Sequence, residues 1–293
     1  MSGIEAINDP AEAAKGAKGV PGLPRDASRR PKLRLDALLV ERGLAESRAR
    51  AQALVLSGAV RAGGESATKA GLHVAPDVDL HVETPRESSF VSRAGEKIAY
   101  ALDTFGVEVE DRDCLDAGAS TGGFTDALLR RGAQRVIAVD VGYGQLDWSL
   151  RNDPRVVVME RTNVRYLSSG DLPFAPDLLV ADLSFISLVV ALSNLFSTTP
   201  SIREAVVLVK PQFEAGPRQV SRGGLVHDPA VRAKTVRRVA EAFESLGFGA
   251  LNVARSPVVG RRAGNVEYLL RLLRGAEATL GEEQILAVVR SEP

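Results

Sequence analysis

With one cysteine in 293 residues, Cys114, the chain can form no internal disulfide and no cysteine-based zinc site, so a reducing, cytoplasmic setting is expected. Histidine is equally scarce: His73, His81 and His227 stand far apart, make no metal-ligand spacing and imply no metal. No segment has the plan of a secretory signal, because the first 32 residues lack an apolar core and carry Pro10, Pro21, Pro24 and Pro31 among small and charged residues. An uninterrupted membrane span is missing too. The most hydrophobic stretch, 178–196, is broken by Asp182, Ser184, Ser187, Ser193 and Asn194, and a buried strand, a turn and a helix account for it better than membrane insertion does. Net charge is also absent, since 37 basic residues balance 37 acidic ones. That zero averages unlike regions: residues 25–50 carry eight basic against four acidic residues, and residues 210–262 carry ten against four. A polyanionic partner therefore stays admissible, while indiscriminate electrostatic stickiness does not.

What is present is ordinary globular composition, 45% hydrophobic and 25% charged, in a length that suggests about two domains. Residues 1–32 lack a sustained apolar period and read as a flexible tail. From Leu33, the spacing of Leu35, Leu38 and Leu39 before Gly43 predicts a short helix. Ser47 is placed to cap a second helix running to Leu56 and closed by Gly58. Short alternating segments at 71–74 and 78–82 predict strands. This small α+β unit, 33–85, is followed by a linker, 86–92. Over 93–293, apolar strands at 114–117, 136–141, 156–159, 178–181, 205–209, 250–254 and 266–273 alternate with helical patterns, one of them at 95–105. That alternation predicts a mostly parallel seven-stranded α/β sheet covered by helices on both faces.

The run Arg34-Leu-Asp-Ala-Leu-Leu-Val-Glu-Arg42-Gly-Leu-Ala-Glu-Ser-Arg48, with Ala51, Gly58 and Val60 after it, resembles the S-four RNA-binding domain of ribosomal proteins and RNA-modifying enzymes. Arg34, Arg42, Arg48, Arg50 and Arg61 are fork-shaped donors suited to phosphates. Their alternative is pairing with Asp36, Glu41 and Glu46 on helix surfaces; the resemblance favours RNA.

Chemistry concentrates in Leu115-Asp116-Ala-Gly118-Ala-Ser120-Thr-Gly122-Gly123-Phe124-Thr125, an apolar strand leading through a glycine-rich turn into a helix. Such a turn lets backbone approach a ligand, and the helix start offers free N–H groups. Its spacing is not that of the dinucleotide fingerprint. Asp140 closes the next strand, where a ribose diol is bound in Rossmann-like folds. Two lysines and two acids complete the set: Lys97 in Ser92-Arg93-Ala-Gly-Glu-Lys97, Asp182 after the fourth strand, Lys210 after the fifth in Val206-Val-Leu-Val-Lys210-Pro-Gln-Phe-Glu214, and Glu267 in Gly264-Asn265-Val266-Glu267. In an open parallel sheet, ligands bind beyond the carboxyl ends of the strands, where Asp182 and Lys210 fall. Ser120, Ser184 and Ser187 have no His-Asp pairing, which disfavours hydrolase chemistry. Cys114, inside a strand, reads as packing.

The four charges resemble the Lys-Asp-Lys-Glu tetrad of the FtsJ-like ribose 2′-O-methyltransferases. With the S-four module in front, residues 33–293 resemble the TlyA family of ribosomal RNA methyltransferases, also known as haemolysins. Collinear stretches such as Asp140-Val-Gly-Tyr-Gly-Gln-Leu, Glu160-Arg-Thr-Asn163 and Gly223-Gly-Leu-Val-His227-Asp-Pro229 carry that resemblance. It implies a Rossmann-like domain that takes S-adenosylmethionine and methylates cytidine riboses in ribosomal subunits, with an effect on sensitivity to capreomycin-type antibiotics. It implies a catalytic set of Lys97, Asp182, Lys210 and Glu267. A cofactor set of Asp116, Gly118, Ser120, Gly122, Gly123, Phe124, Asp140, Asn163 and Asp182 follows from the same likeness, and a monomeric protein is expected. Lys210 is the candidate base; burial beside Lys97 favours its neutral amine, whereas Asp182 and Glu267 favour the charged form, which leaves base and orienting cation both open. The C-terminal segment from Glu282, expected to be helical, resembles that of longer members acting on both subunits. Phe90 stands where a tryptophan is expected in mycobacterial relatives. A non-catalytic RNA-binding protein and a pore-forming haemolysin are the alternative readings.

Overall fold

The structure, a computed structural model, describes residues 31–56, 59–67, 69–82, 90–221, 223–258 and 265–291. The tail expected over 1–32 lies almost wholly outside the described residues, as do Gly58 and most of the 86–92 linker. The chain divides into two compact units, Met1–Glu83 and Thr84–Pro293.

In the first unit, β1 (Leu33–Arg34) leads directly into α1 (Leu35–Glu41), followed by α2 (Arg48–Leu56) and four short strands, β2 (Val60–Ala62), β3 (Glu65–Ser66), β4 (His73–Val74) and β5 (Leu80–Val82). β1 pairs antiparallel with β4, while β2 pairs antiparallel with β3 and β5. The Ser47 hydroxyl accepts the Arg50 N–H at 3.2 Å, the capping geometry that its position predicts. Leu35, Leu38, Leu39, Ala51, Leu54, Val55 and Val60 form the small core, so the apolar stripe read from the sequence is the buried one.

The second unit contains α3 (Ala94–Phe105), β6 (Asp113–Ala117), α4 (Gly123–Arg130), β7 (Arg135–Val139), α5 (Trp148–Arg151), β8 (Val156–Met159), β9 (Leu178–Ala181), α6 (Leu188–Thr198), β10 (Glu204–Val209), α7 (Pro211–Glu214), α8 (Pro229–Glu244), β11 (Phe248–Arg255), β12 (Tyr268–Arg274) and α9 (Glu282–Arg290). These strands form one seven-stranded sheet in the order β11-β12-β10-β9-β6-β7-β8. β10, β9, β6, β7 and β8 run parallel, and β12 alone is reversed, pairing antiparallel with both β10 and β11. Successive residues of the central strands face opposite layers: Leu115, Ile137, Leu179 and Val207 pack with α6, α8 and α9, while Cys114, Val136, Val180 and Leu208 pack with α3 and α4. Burial on both faces is why these strands read as unbroken apolar runs. Burial also pushes the Cys114 thiol up to about 12, consistent with inert packing.

Two details refine the sequence reading. Phe90 packs into the α3/α4 layer, the Arg130 guanidinium lies 5.2 Å from its ring centroid, and the Asp126 carboxylate accepts the Val91 N–H. The terminal helix α9 docks through buried Ile285 and Val289, with an Arg237–Glu282 ion pair of 3.0 Å at its start.

Candidate active site

Topology brings the sequence-predicted charges to one edge. The chain runs from β6 to β7 and β8 on one side, then crosses back to β9 and β10 on the other, so the strand order reverses between β6 and β9. A crevice opens there beyond the strand ends. Gly118, Asp182 and Lys210 directly follow β6, β9 and β10. β12 runs antiparallel, with Tyr268 opposite Val209, so its entry residue Glu267 arrives where β10 ends. Lys97 comes from the first turn of α3, which crosses α4 at close range. A Cβ on Gly123 would stand 2.8 Å from the Gly95 nitrogen.

The result is a cavity of about 520 Å³ lined by Lys97, Gly118, Ser120, Phe124, Asp182, Lys210 and Glu267 among others. Lys97 Nζ lies 2.5 Å from Glu267 Oε2, and Lys210 Nζ lies 2.5 Å from Asp182 Oδ1. Both lysines are 8% exposed and Glu267 is 4% exposed. Two charges of opposite sign at such depth hold one another in place, because neither is solvated enough to stand alone. Each lysine thus has a carboxylate as its ionic partner. Lys210 also donates to the Ser184 hydroxyl at 2.9 Å.

The glycine turn is built by close packing. Gly118 has φ +89°, and a Cβ there would lie 2.6 Å from the Asp182 carbonyl, so only glycine lets β6 and β9 deliver their ends side by side. Gly122, at φ +96°, has Leu150 Cδ1 where a Cβ would be, 2.2 Å away. Ser120, at φ +50°, donates its backbone N–H to Asp140 at 2.8 Å, and Asp140 also accepts the Gly142 N–H at 2.7 Å. Asp116 is fully buried beneath the turn. One of its oxygens accepts the Thr125 N–H and hydroxyl at 2.9 and 2.7 Å, and Oδ1 has no hydrogen-bond partner. Burial, reinforced by the charges of Asp182 and Asp140, raises its carboxyl to about 7 despite those Thr125 bonds. The unpartnered oxygen thus lies behind the turn and not on the cavity wall. Asp116, Gly122, Gly123, Asp140 and Asn163 do not line the cavity themselves. Asn163 is exposed, and its Oδ1 accepts the Arg165 N–H at 3.1 Å.

In the first unit, Asp36 is fully buried and accepts from Arg34 at 2.8 and 3.1 Å, from Gln52 at 3.0 Å and from Arg48 at 3.4 Å. The Arg34 hydrogen bonds hold its carboxyl well below the usual carboxylate range. Arg34 and Arg48 are thereby arrayed around one anion with their outer faces in solvent. Arg42 donates to the carbonyls of Val78 at 2.7 Å and Pro76 at 2.5 Å, bracing α1 against the turn before β5. Arg50 and Arg61 are exposed.

Comparison with known proteins agrees with this construction. The family model described as FtsJ-like methyltransferase matches residues 90–274, and that of the S4 domain matches residues 33–80. The 16S/23S rRNA (cytidine-2′-O)-methyltransferase TlyA of Mycobacterium tuberculosis is 52% identical over 239 residues, which is 82% of this chain and 89% of that protein. The chain belongs to the TlyA family of methyltransferases. Hemolysin A of Brachyspira hyodysenteriae, 40% identical, spans 82% of this chain with all of its own length. A solved structure from Streptococcus thermophilus, described as a candidate hemolysin, superposes with a TM-score of 0.68 at 37% identity, covering 88% of this chain and 94% of the other. Among the described residues, no helix is long and apolar enough to cross a membrane.

Several residues that line the cavity of this TlyA-family chain stand outside the sequence-predicted site: Ser184, Phe185, Gln212, Phe213 and Asn265. The first four lie within three residues of Asp182 or Lys210, so proximity to a strand end was the available signal. Phe185 is 82% exposed, holds φ +64° and pairs with Phe213 at a ring-centroid distance of 5.1 Å. For a bulky residue this left-handed backbone is sparsely populated, and here it stands at the rim of the cavity.

Proposed function

We propose that this chain transfers the methyl group of S-adenosylmethionine to the ribose 2′-hydroxyl of cytidines in ribosomal RNA, in both the large and the small subunit. The observation that carries this reading is the pair of buried lysine–carboxylate contacts, Lys97–Glu267 and Lys210–Asp182, on one cavity beside the Gly118 turn. Membership of a family with a curated rRNA (cytidine-2′-O)-methyltransferase supports the substrate.

The residues present fit the cofactor. Its sulfonium and ammonium groups are cationic; Asp182 on the cavity wall supplies complementary charge, and Asp140 and the orphaned Asp116 oxygen add to the acidic character from behind the turn. Gly118, Ser120, Phe124 and Asp182 would hold it from the cavity wall, with Asp116, Gly122, Gly123, Asp140 and Asn163 supporting the turn and the adenosine end. When bound, it supplies a methyl group already activated for attack by an oxygen nucleophile.

The protein has two tasks left, orienting the 2′-oxygen and taking its proton. Lys210 is the base, and Asp182 holds its ammonium in place. Lys97, itself held by Glu267, offers a second N–H donor to the ribose oxygens. Fixing the oxygen in line with the methyl carbon contributes a large share of the rate. The exposed Phe185 ring offers a flat face to a nucleobase at the cavity mouth. In the first unit, Arg34, Arg48, Arg50 and Arg61 contact phosphates, and Arg42 holds the turn that shapes their surface. A monomer working in the cytoplasm meets these needs, and loss of the methylation lowers sensitivity to capreomycin-type antibiotics.

The test is to incubate the purified chain with labelled methyl donor and each ribosomal subunit separately. Label should enter rRNA of both subunits. Absence of transfer to both favours the non-catalytic RNA-binding reading, and label in one subunit alone overturns only the dual substrate.

A further inference from the structure

Lys210 has a neighbour with no role so far. Its Nζ donates to Ser184 Oγ at 2.9 Å, lies 2.5 Å from Asp182 Oδ1 and stands 5.9 Å from the centre of the Phe213 ring. Ser184 follows β9 by three residues, is solvent-accessible and lines the same cavity as Lys210. Among the described residues, Ser184 Oγ is the one hydrogen-bond acceptor of Nζ, although the lysine is 8% exposed.

We propose that Ser184 is a positioning residue that aims the Lys210 amine at the substrate hydroxyl. The inference rests on the reading of Lys210 as the base. A neutral amine carries two N–H bonds and one lone pair at tetrahedral angles. Ser184 Oγ accepts one N–H, whereas Asp182 Oδ1 is in ionic contact with Nζ at 2.5 Å but outside hydrogen-bond alignment, so Ser184 is the group that fixes a direction on Nζ. The lone pair takes one of the directions that the Ser184 hydrogen bond leaves, at an amine that lines the cavity. With Ser184 removed, Nζ loses its hydrogen-bond acceptor, and the lysine side chain shifts off the line to the substrate hydroxyl.

The step balances. The lone pair takes the 2′-hydroxyl proton, forming an N–H bond as the O–H bond breaks. The oxygen forms its bond to the methyl carbon as the carbon–sulfur bond breaks, and its electron pair stays on sulfur. The positive charge passes from sulfonium to ammonium, whose new N–H is the one facing the cavity.

The experiment compares Ser184→Ala, Ser184→Thr and Lys210→Ala as full-length proteins. It reads single-turnover methylation of ribosomal subunits across the pH range, cofactor affinity by calorimetry, and subunit affinity. Ser184→Ala should slow the single turnover by about 10- to 100-fold, with both affinities within about twofold of wild type. The deficit should persist at high pH, because orientation rather than ionisation is lost. Ser184→Thr keeps an Oγ acceptor and should recover to within about fivefold. The proposal is overturned by a Ser184→Ala rate close to wild type, by recovery of that rate at high pH, by an equal loss in Ser184→Thr, or by a parallel loss of cofactor affinity. Lys210→Ala separates the two levels: an active Lys210→Ala defeats the base reading itself, whereas an inactive one beside a normal Ser184→Ala defeats only the positioning role.

Discussion

Lys97 Nζ and Glu267 Oε2 meet at 2.5 Å across 170 residues of sequence, deep at the edge of the cavity. Removing one partner of a buried pair strands the other charge, at a cost of about 3–5 kcal/mol. Glu267→Ala should therefore lower the melting temperature as well as the activity. The double variant Lys97→Met/Glu267→Leu should regain most of the stability and none of the activity. Thermal melts of the three proteins check this; a single variant as stable as wild type would show that the pair is not closed in solution.

Asp116 gives a pH signature. Its folded-state carboxyl titrates at about 7, above its ordinary value, so folding takes up a proton between those values. That contribution to stability is fully present at low pH and is lost as pH rises through about 7. A cationic cofactor prefers the ionised carboxylate, so affinity should rise roughly three- to tenfold from one pH unit below that value to one above. Asp116→Asn should flatten the rise. Calorimetric titration with S-adenosylmethionine measures both slopes, and identical slopes in the two proteins would remove Asp116 from the cofactor's surroundings.

Phe185→Ala should raise the KM for ribosomal subunits by roughly 5- to 100-fold, the worth of one base stacked on an aromatic ring, without changing cofactor affinity. Phe185→Trp should keep the low KM. An unchanged KM in Phe185→Ala would leave the exposed ring without a nucleobase partner.

Arg34 and Arg48 share Asp36, and each presents an outer edge to solvent. Substituting either with alanine should weaken subunit binding and reduce the salt dependence of log affinity by about one for each phosphate no longer neutralised. Arg42→Ala should act through stability of the first unit, because its donors are spent on Pro76 and Val78. Binding isotherms at several salt concentrations distinguish the two; equal salt slopes in Arg34→Ala and wild type would remove Arg34 from the phosphate-contacting set.

The strands of the second unit were legible because residues 178–181 and 205–209 are buried on both faces and so read as unbroken apolar runs. The edge at which Asp182 and Lys210 meet followed from parallel topology alone. Which acid serves which lysine did not, because pairing Lys97 with Glu267 depends on β12 running antiparallel beside β10. Local spacing also hid the glycine roles: Gly122 makes room for Leu150 rather than facing the cavity. In the first unit, strands of two or three residues carry too little periodicity to bound, and the bracing of Arg42 spans more than 30 residues to a turn that its own helix does not announce.

The central claim is that Lys210, held by Asp182, takes a proton from a cytidine 2′-hydroxyl as that oxygen is methylated. It is tested most directly by nucleoside mass spectrometry of rRNA from ribosomal subunits treated with S-adenosylmethionine and either wild type or Lys210→Ala. Wild type should yield 2′-O-methylcytidine as the only new nucleoside, and Lys210→Ala should yield about 100-fold less or lower still at equal cofactor occupancy. A methyl group on a base, or 2′-O-methylcytidine at comparable rates from both proteins, would contradict the account.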